Sequence, residues 1–274
     1  MRVGGGGLGV LFAKEILAQA PRARVVLTGR SRLTPARQAR LDGLSAEAGR
    51  LSYRQVDLVS LDDVRRLVAG IREECGRLDG ILHSAGMIAD GFILKKTGPE
   101  FSRVLVPKVA GTFHLDQATR DVELDFFVLF SSIAGAIGSV GQSDYAAANG
   151  FMDHFAAHRN AQVAAGRRHG RTRSINWPLW QSGGMTMDAA TQDLLRESTG
   201  LQPMGTACGL RAFHRCLALP YGQILVLEGD LVRLRDSLLA GGAVAPRPQR
   251  QPEAVPVAPL DAEDARTLEE RAQE

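Results

Sequence analysis

The stretch LDFFVLFSSIAGAIGSVGQSDYAAANGFMD, residues 124–153, decides how this chain is to be read. Its opening LDFFVLF is an apolar run of the kind that forms a buried strand. The run ends in a hydroxyl pair, Ser131-Ser132, and thirteen residues past Ser132 stands Tyr145, at the start of a helical pattern with Asn149 one turn on. Residues four apart share a helix face. A strand ending in Ser, facing a helix that presents Tyr and Asn, gathers hydroxyl, phenol and amide about one point. Such a set suits polarising and protonating a carbonyl oxygen and suits metal binding poorly, so no metal site is expected.

Outward from that stretch, short β-branched runs alternate with amphipathic segments from Gly4 to about Ala240. Strands are expected at 23–29, 52–57, 80–86, 124–132, 172–177 and 222–229. Helices are expected near 9–19, 35–48, 61–75, 97–118, 144–165, 187–199 and 206–217. This alternation predicts an α/β fold, a doubly wound parallel sheet of Rossmann-like type with helices on both faces. Ligands of such sheets bind at the carboxyl ends of strands, where Gly29, His83 and Ser132 fall.

GGGGLG, Gly4 to Gly9, fits G-x-G-x-x-G and opens the helical pattern LFAKEILAQ. Glycines ahead of a helix N-terminus let a pyrophosphate approach and aim amides at it, although four glycines in a row also suit a flexible loop. Only Met1-Arg2-Val3 precede the motif, so the first strand is either truncated or very short; truncation is the expectation, and it would leave the sheet without a full central member. The second strand ends in LTGRSR, with Arg30, Ser31 and Arg32 and no acid. At that place in a dinucleotide fold Arg suits the 2′-phosphate of NADP, where an acid would suit the ribose of NAD. Asp57, ending the third strand ahead of Leu58, suits the adenine amino group or a cap on the following helix.

Composition narrows the class. The chain has 274 residues, 45% hydrophobic and 23% charged, enough for one large α/β domain or two small ones. Cys75, Cys208 and Cys216 show no paired spacing and read as packed thiols in a reducing cytoplasm. No apolar run approaches the length of a membrane span, and dispersed Arg and Lys with few aromatics give no nucleic-acid module. The formal charge of +3 divides into −3 over residues 241–274 and +6 over the rest. Five of the twelve prolines lie between Pro246 and Pro259, so residues 1–240 read as the catalytic domain and 241–274 as a linker leading into a further segment. Arg167, Arg168, His169, Arg171 and Arg173 read as a solvated helix end, with a docking patch as the alternative.

Jointly, GGGGLG, LTGRS, VDL, HSAG at 83–86, the Ser-Ser pair followed by Tyr-x-x-x-Asn, and INWPLW at 175–180 resemble the short-chain dehydrogenase/reductase superfamily. More narrowly they resemble the ketoreductase domains of modular polyketide synthases, over about residues 4–240. The resemblance implies NADPH-dependent reduction of a β-ketoacyl thioester carried on the phosphopantetheine of an acyl carrier protein, with neighbouring synthase domains as partners. Most of the superfamily carries Tyr-x-x-x-Lys, and this chain has Asn149 in place of that Lys. In the polyketide ketoreductases the two residues exchange places, and Lys108, thirty-seven residues ahead of Tyr145, matches the position of the displaced Lys.

By this resemblance Tyr145 is the proton donor, Ser132 a second donor to the carbonyl oxygen, Lys108 the cation that tunes Tyr145, and Asn149 the group that positions Lys108 or a water. Only the family's spacing separates Ser132 from Ser131. A phenol with pKa near ~10 is a poor acid at neutral pH, and a nearby ammonium is expected to lower it. Cofactor contacts are expected from Gly4, Gly6, Gly7, Leu8, Gly9, Arg30, Ser31, Asp57, Leu58, Ser84, Ala85, Gly86 and Pro178. Asp90, kept from the Leu-Asp-Asp-like signature in Ile88-Ala89-Asp90, and Ile137, where the opposite type has Trp, imply B-type stereochemistry. Gly183-Gly184 and Met185, ahead of the 187–199 helix, imply a lid over the acyl arm. A free-standing 3-oxoacyl-carrier-protein reductase and a non-catalytic scaffold are the competing classes.

Overall fold

The computed structural model describes residues 2–4, 7–44, 49–183, 192–193, 196–197 and 199–240. Its strands are β1 (Arg2–Gly4), β2 (Val25–Gly29), β3 (Leu51–Gln55), β4 (Gly80–His83), β5 (Phe126–Ser132), β6 (Arg171–Trp177) and β7 (Gln223–Leu225). All pair in parallel, in the order β3-β2-β1-β4-β5-β6-β7. The order reverses between β1 and β4, and a crevice at such a reversal is where doubly wound sheets bind ligands.

The helices are α1 (Gly7–Gln19), α2 (Pro35–Asp42), α3 (Leu61–Cys75), α4 (Gly98–Ala118), α5 (Ile133–Ile137), α6 (Ser143–Ala164), α7 (Thr206–Ala218) and α8 (Leu231–Ala240). Successive strand side chains point to opposite faces of the sheet, and the core divides accordingly. Leu82, Val128 and Phe130 pack with Phe12 of α1 and Phe213 of α7 on one side. Ile81, Phe127 and Leu129 pack with Val64 of α3, Leu115 of α4 and Met152 of α6 on the other. At about 25 cal/mol per Å2 of buried apolar surface, this two-sided covering is the main source of stability.

The central strand is present but short. β1 has three residues and holds the middle of the sheet: Val3 pairs with Leu27 on one side and Leu82 on the other. Several elements are shorter than the sequence pattern predicts. β4 stops at His83, freeing Ser84, Ala85 and Gly86 as loop, and α2 stops at Asp42, with the Gly43 amide donating back to Ala39. Helices α5 and α8 have no counterpart in the sequence reading. Most of the 187–199 segment, including residues 187–191, lies outside the described residues, as does 241–274.

The five-residue basic cluster does not form one solvated patch. Arg168 turns inward and bonds Asp116 through two nitrogens, both at 2.9 Å, and Arg159 reaches the same carboxylate at 2.8 Å. Arg173 is also buried and donates to the Leu219 carbonyl at 3.2 Å. The chain divides into two compact units, Met1–Leu234 and Arg235–Glu274. Among the described residues no helix is long and apolar enough to cross a membrane.

Candidate active site

Lys108 sits in the middle of α4, whose start is fixed by a capping box: Thr97 accepts from the Glu100 amide, and the Glu100 carboxylate accepts from the Thr97 amide. Its ammonium is buried, donates to the Phe130 carbonyl at 2.9 Å and lies 3.6 Å from the Met152 sulfur. It also lies 5.7 Å from the centroid of the Tyr145 ring, within cation–π range. Burial lowers its pKa to about 8, against a raising influence from Asp153. Gly86 is why the stem of this lysine fits, since a Cβ there would stand 2.9 Å from Lys108 Cε.

The hydroxyl pair at the end of β5 divides its work. Ser131 is buried at the junction of sheet and α6, donating to the Asn149 carbonyl at 3.3 Å and accepting from Asn176 at 3.1 Å. Ser132 is half-buried, and its oxygen accepts from the Ala134 amide at 3.2 Å, starting α5. Helix α5 presses on α6 so closely that a Cβ on Gly135 would stand 2.8 Å from Asn149 Cβ. Asn149 is fully buried; its amide donates to the Tyr145 carbonyl at 2.7 Å, and its own oxygen has no hydrogen-bond partner. No hydrogen bond joins it to Lys108 among the described residues; that lysine is held by the Phe130 carbonyl.

Tyr145, on the first turn of α6, is nine-tenths buried. Its pKa lies above the ordinary phenol value, first because burial penalises the phenolate, while hydrogen bonds with Ser132 and Asn149 pull it down and the Asp90 charge pushes it up. The expected lowering is therefore corrected: desolvation outweighs the stabilising groups. Met87, Ile88 and Ala89 pack on Tyr145, Val104 and Ala134 in a small cluster of their own. Asp90 accepts from Gln142 at 2.9 Å, and Ile137 is half exposed nearby in sequence at the end of α5.

The sequence reading missed two charged residues here. Lys96 and Asp144 form an ion pair with side chains only 6% and 1% exposed. Lys96 also donates to the Ala89 carbonyl, and Asp144 accepts from the Tyr145 amide at 2.8 Å. The available signals were an acid in the first turn of α6 and a lysine dipeptide, Lys95-Lys96, between apolar residues.

On the other side of the reversal, Gly7, Leu8 and Gly9 open α1 just past β1. Gly4 ends β1, and Gly6 lies outside the described residues. The loop after β2 is fixed by its backbone. Gln55 donates to the Arg30 carbonyl at 2.9 Å and Tyr53 to the Ser31 carbonyl at 2.5 Å. Gly29 makes room for the tyrosine, since a Cβ would stand 2.5 Å from its hydroxyl. The Arg30 side chain is exposed, with no carboxylate paired to it among the described residues. Asp57 accepts from the Val59 amide at 3.0 Å, closing a turn, while the cap on α3 is Ser60. Leu58 is buried in the core, Pro178 follows β6, and Met185 lies outside the described residues.

A dinucleotide fits these residues. A glycine-flanked helix N-terminus meets the reversal, the Arg30 side chain is exposed, and among the described residues the Ser84 hydroxyl just past β4 is buried without a hydrogen-bond partner. Lys108 and Tyr145 stand beyond it, at the carboxyl end of β5.

Comparison with known proteins points the same way. The model of the KR domain family matches residues 3–182. Polyketide synthase PksN of Bacillus subtilis is 44% identical over 250 residues, 91% of this chain and 5% of that protein. Polyketide synthase ThaG of Burkholderia thailandensis is 40% identical over 265 residues, 97% of this chain and again 5% of the relative. Among solved structures, a ketoreductase domain from the bacillaene assembly line superposes with a TM-score of 0.84 at 43% identity, covering 86% of this chain and 57% of that one. A short-chain dehydrogenase from Streptomyces avermitilis shares the fold, with a TM-score of 0.69 at 20% identity over 88% of this chain and 92% of its own. The chain thus spans about a twentieth of the curated relatives it matches.

Proposed function

The chain belongs to the KR domain family, the polyketide-synthase ketoreductases of the short-chain dehydrogenase/reductase superfamily, and on that premise we propose that it reduces a β-ketoacyl thioester to the β-hydroxyacyl form with NADPH. The observation that carries the proposal is the convergence of Ser132, Tyr145, Asn149 and Lys108 at the carboxyl end of β5. A scaffold has no use for a buried lysine beside a buried tyrosine.

The family uses a nicotinamide cofactor, which when bound supplies hydride to the carbonyl carbon. Gly7–Gly9 would receive its pyrophosphate and Arg30 the 2′-phosphate that distinguishes NADPH from NADH; Ser84 and Asp57 would face the rest. Tyr145, kept protonated by its raised pKa, gives its proton to the carbonyl oxygen. Ser132 donates a second hydrogen bond to the developing alkoxide. Lys108, a cation below about pH 8, stabilises the phenolate that remains, so its charge matters most after the proton has moved.

Asp90 and Ile137 stand for B-type reduction, giving a D-configured β-hydroxyl. The substrate arrives on the phosphopantetheine of an acyl carrier protein within a cytoplasmic synthase, whose neighbouring domains follow residues 241–274 as a linker. Residues 183–199, with Met185, would serve as the lid. The test is NADPH oxidation measured by absorbance with a pantetheine-linked β-ketoacyl surrogate, followed by chiral analysis of the alcohol. We expect NADPH consumption and mainly the D alcohol; no consumption overturns the function, and mainly the L alcohol overturns the stereochemical part.

A further inference from the structure

Among the buried charged groups of this half of the molecule, Lys96 and Asp144 are a pair that stands beside the catalytic residues without a use in the chemistry. Lys96 and Asp144 stand forty-eight residues apart, on the loop between β4 and α4 and on the first turn of α6. Both are almost wholly removed from water. Burying two charges is costly, and a pair so placed is weak evidence for stability; hydrophobic residues of the same volume often serve as well or better. A gain in position is the better-attested use of such a pair.

Each partner makes a further bond, one to the β4–α4 loop and one to the first turn of α6. Lys96 donates to the carbonyl of Ala89, the middle residue of Ile88-Ala89-Asp90. Asp144 accepts from the backbone amide of Tyr145. The chain Ala89–Lys96–Asp144–Tyr145 therefore ties the loop to the backbone of the proton donor by four consecutive groups. Two further bonds run alongside it: Gln142 to the Asp90 carboxylate at 2.9 Å, and the Gly91 amide to the Gly141 carbonyl at 2.8 Å. Met87, Ile88 and Ala89 in turn pack against the cluster formed by Val104, Ala134 and Tyr145. The loop thus packs on the cluster that holds Tyr145, and the ion pair ties it there. Asp144 also carries its charge at a helix N-terminus, where the helix dipole favours it.

We infer that Lys96 and Asp144 are a positioning pair: they hold Ile88-Ala89-Asp90 against Tyr145 and so fix the face on which the β-ketone is reduced. The inference rests on the ketoreductase reading for its stereochemical part and on geometry alone for the clamp. Neither residue touches the reacting atoms. Both act through the loop and through Tyr145.

The experiment takes the 274-residue chain and the variants Asp144→Asn, Lys96→Met, the double variant Lys96→Met/Asp144→Asn, and Lys96→Arg. Asn keeps an acceptor for the Tyr145 amide while removing the charge, and the double variant leaves no unpaired buried charge to unfold the protein. Two quantities are read: amide hydrogen exchange across residues 84–97, and the D:L ratio of the alcohol formed from a pantetheine-linked β-ketoacyl surrogate with NADPH. In Asp144→Asn and the double variant, exchange over 84–97 should rise about tenfold or more while β5 and α4 stay protected. The D:L ratio should fall, the Kd for NADPH should stay unchanged, and Lys96→Arg should restore both readouts. A pair with a merely structural role would lower the unfolding midpoint without moving the ratio. An unchanged ratio in a folded double variant overturns the assignment of stereocontrol, and unchanged exchange over 84–97 overturns the clamp. A parent chain that reduces no β-keto thioester overturns the ketoreductase reading and the stereochemical half with it, while the exchange measurement still decides the clamp.

Discussion

The two halves of this sheet hold their cations in opposite ways. Around β2 and β3 the backbone is fixed by Gln55 and Tyr53, and the guanidinium of Arg30 is left in solvent. Around β5 and α6 the cations themselves are buried, Lys108 against a carbonyl and a sulfur, Lys96 against a carboxylate. The first arrangement costs the fold almost nothing and gains its energy only when an anion binds. The second strains the fold at all times, because a buried ammonium is expensive whether or not substrate is present. On the proposed function, changes in the first half should alter cofactor binding alone, while changes in the second should alter stability as well.

The largest effect that bears on this contrast is expected from Tyr145→Phe. Losing the proton donor should lower turnover by about 1,000-fold, with NADPH binding unchanged by fluorescence titration, since general acids contribute ~100–10,000-fold. Turnover within tenfold of the parent would remove Tyr145 from its role. Lys108→Met comes next and tests the buried half directly. Lys108 has a folded pKa of about 8, below the ~10.5 of a free lysine, so its burial weakens the fold wherever the unfolded chain is protonated. The penalty is full below about pH 8 and fades as pH rises towards ~10.5, amounting to roughly 3 kcal/mol at most. The Met variant should accordingly be inactive yet more stable than the parent in urea at pH 7, with the difference shrinking as pH rises through that window. A less stable variant at pH 7 would break the contrast.

The smallest structural effect should come from Arg30→Ala. Removing a charge-assisted contact worth about 1.5–3 kcal/mol should lower the preference for NADPH over NADH by roughly 10–100-fold. Its unfolding midpoint should match the parent's, because an exposed side chain without a carboxylate partner carries little of the fold. An unchanged cofactor ratio would sink the phosphate assignment, and a large fall in midpoint would sink the contrast itself.

What the sequence made legible is what depends on local pattern. The apolar run of β5, the Tyr145–Asn149 spacing on α6 and the glycines opening α1 all repeat at strand or helix period, and each stands where the pattern placed it. Lys108 has no local signal and was reached only through the missing lysine at Asn149. Lys96–Asp144 and Arg168–Asp116 were illegible, because their partners lie forty-eight and fifty-two residues apart and no periodicity joins them. Burial hid the direction of the Tyr145 shift: a neighbouring cation can be guessed from a motif, but desolvation depends on everything packed around the ring. Helix α5, with five residues, and β1, with three, are too short for any period to show.

The place of β1 has a consequence in time. Its residues are made before those of either neighbour, and one of the two, β4, begins only at Gly80. At ~5–20 residues per second, synthesis leaves the strand with an open edge for roughly 4–16 s before Ile81 and Leu82 exist to close it. Among the described strands, the one in the middle of the sheet thus waits longest for its second neighbour, with that edge open to wrong partners meanwhile.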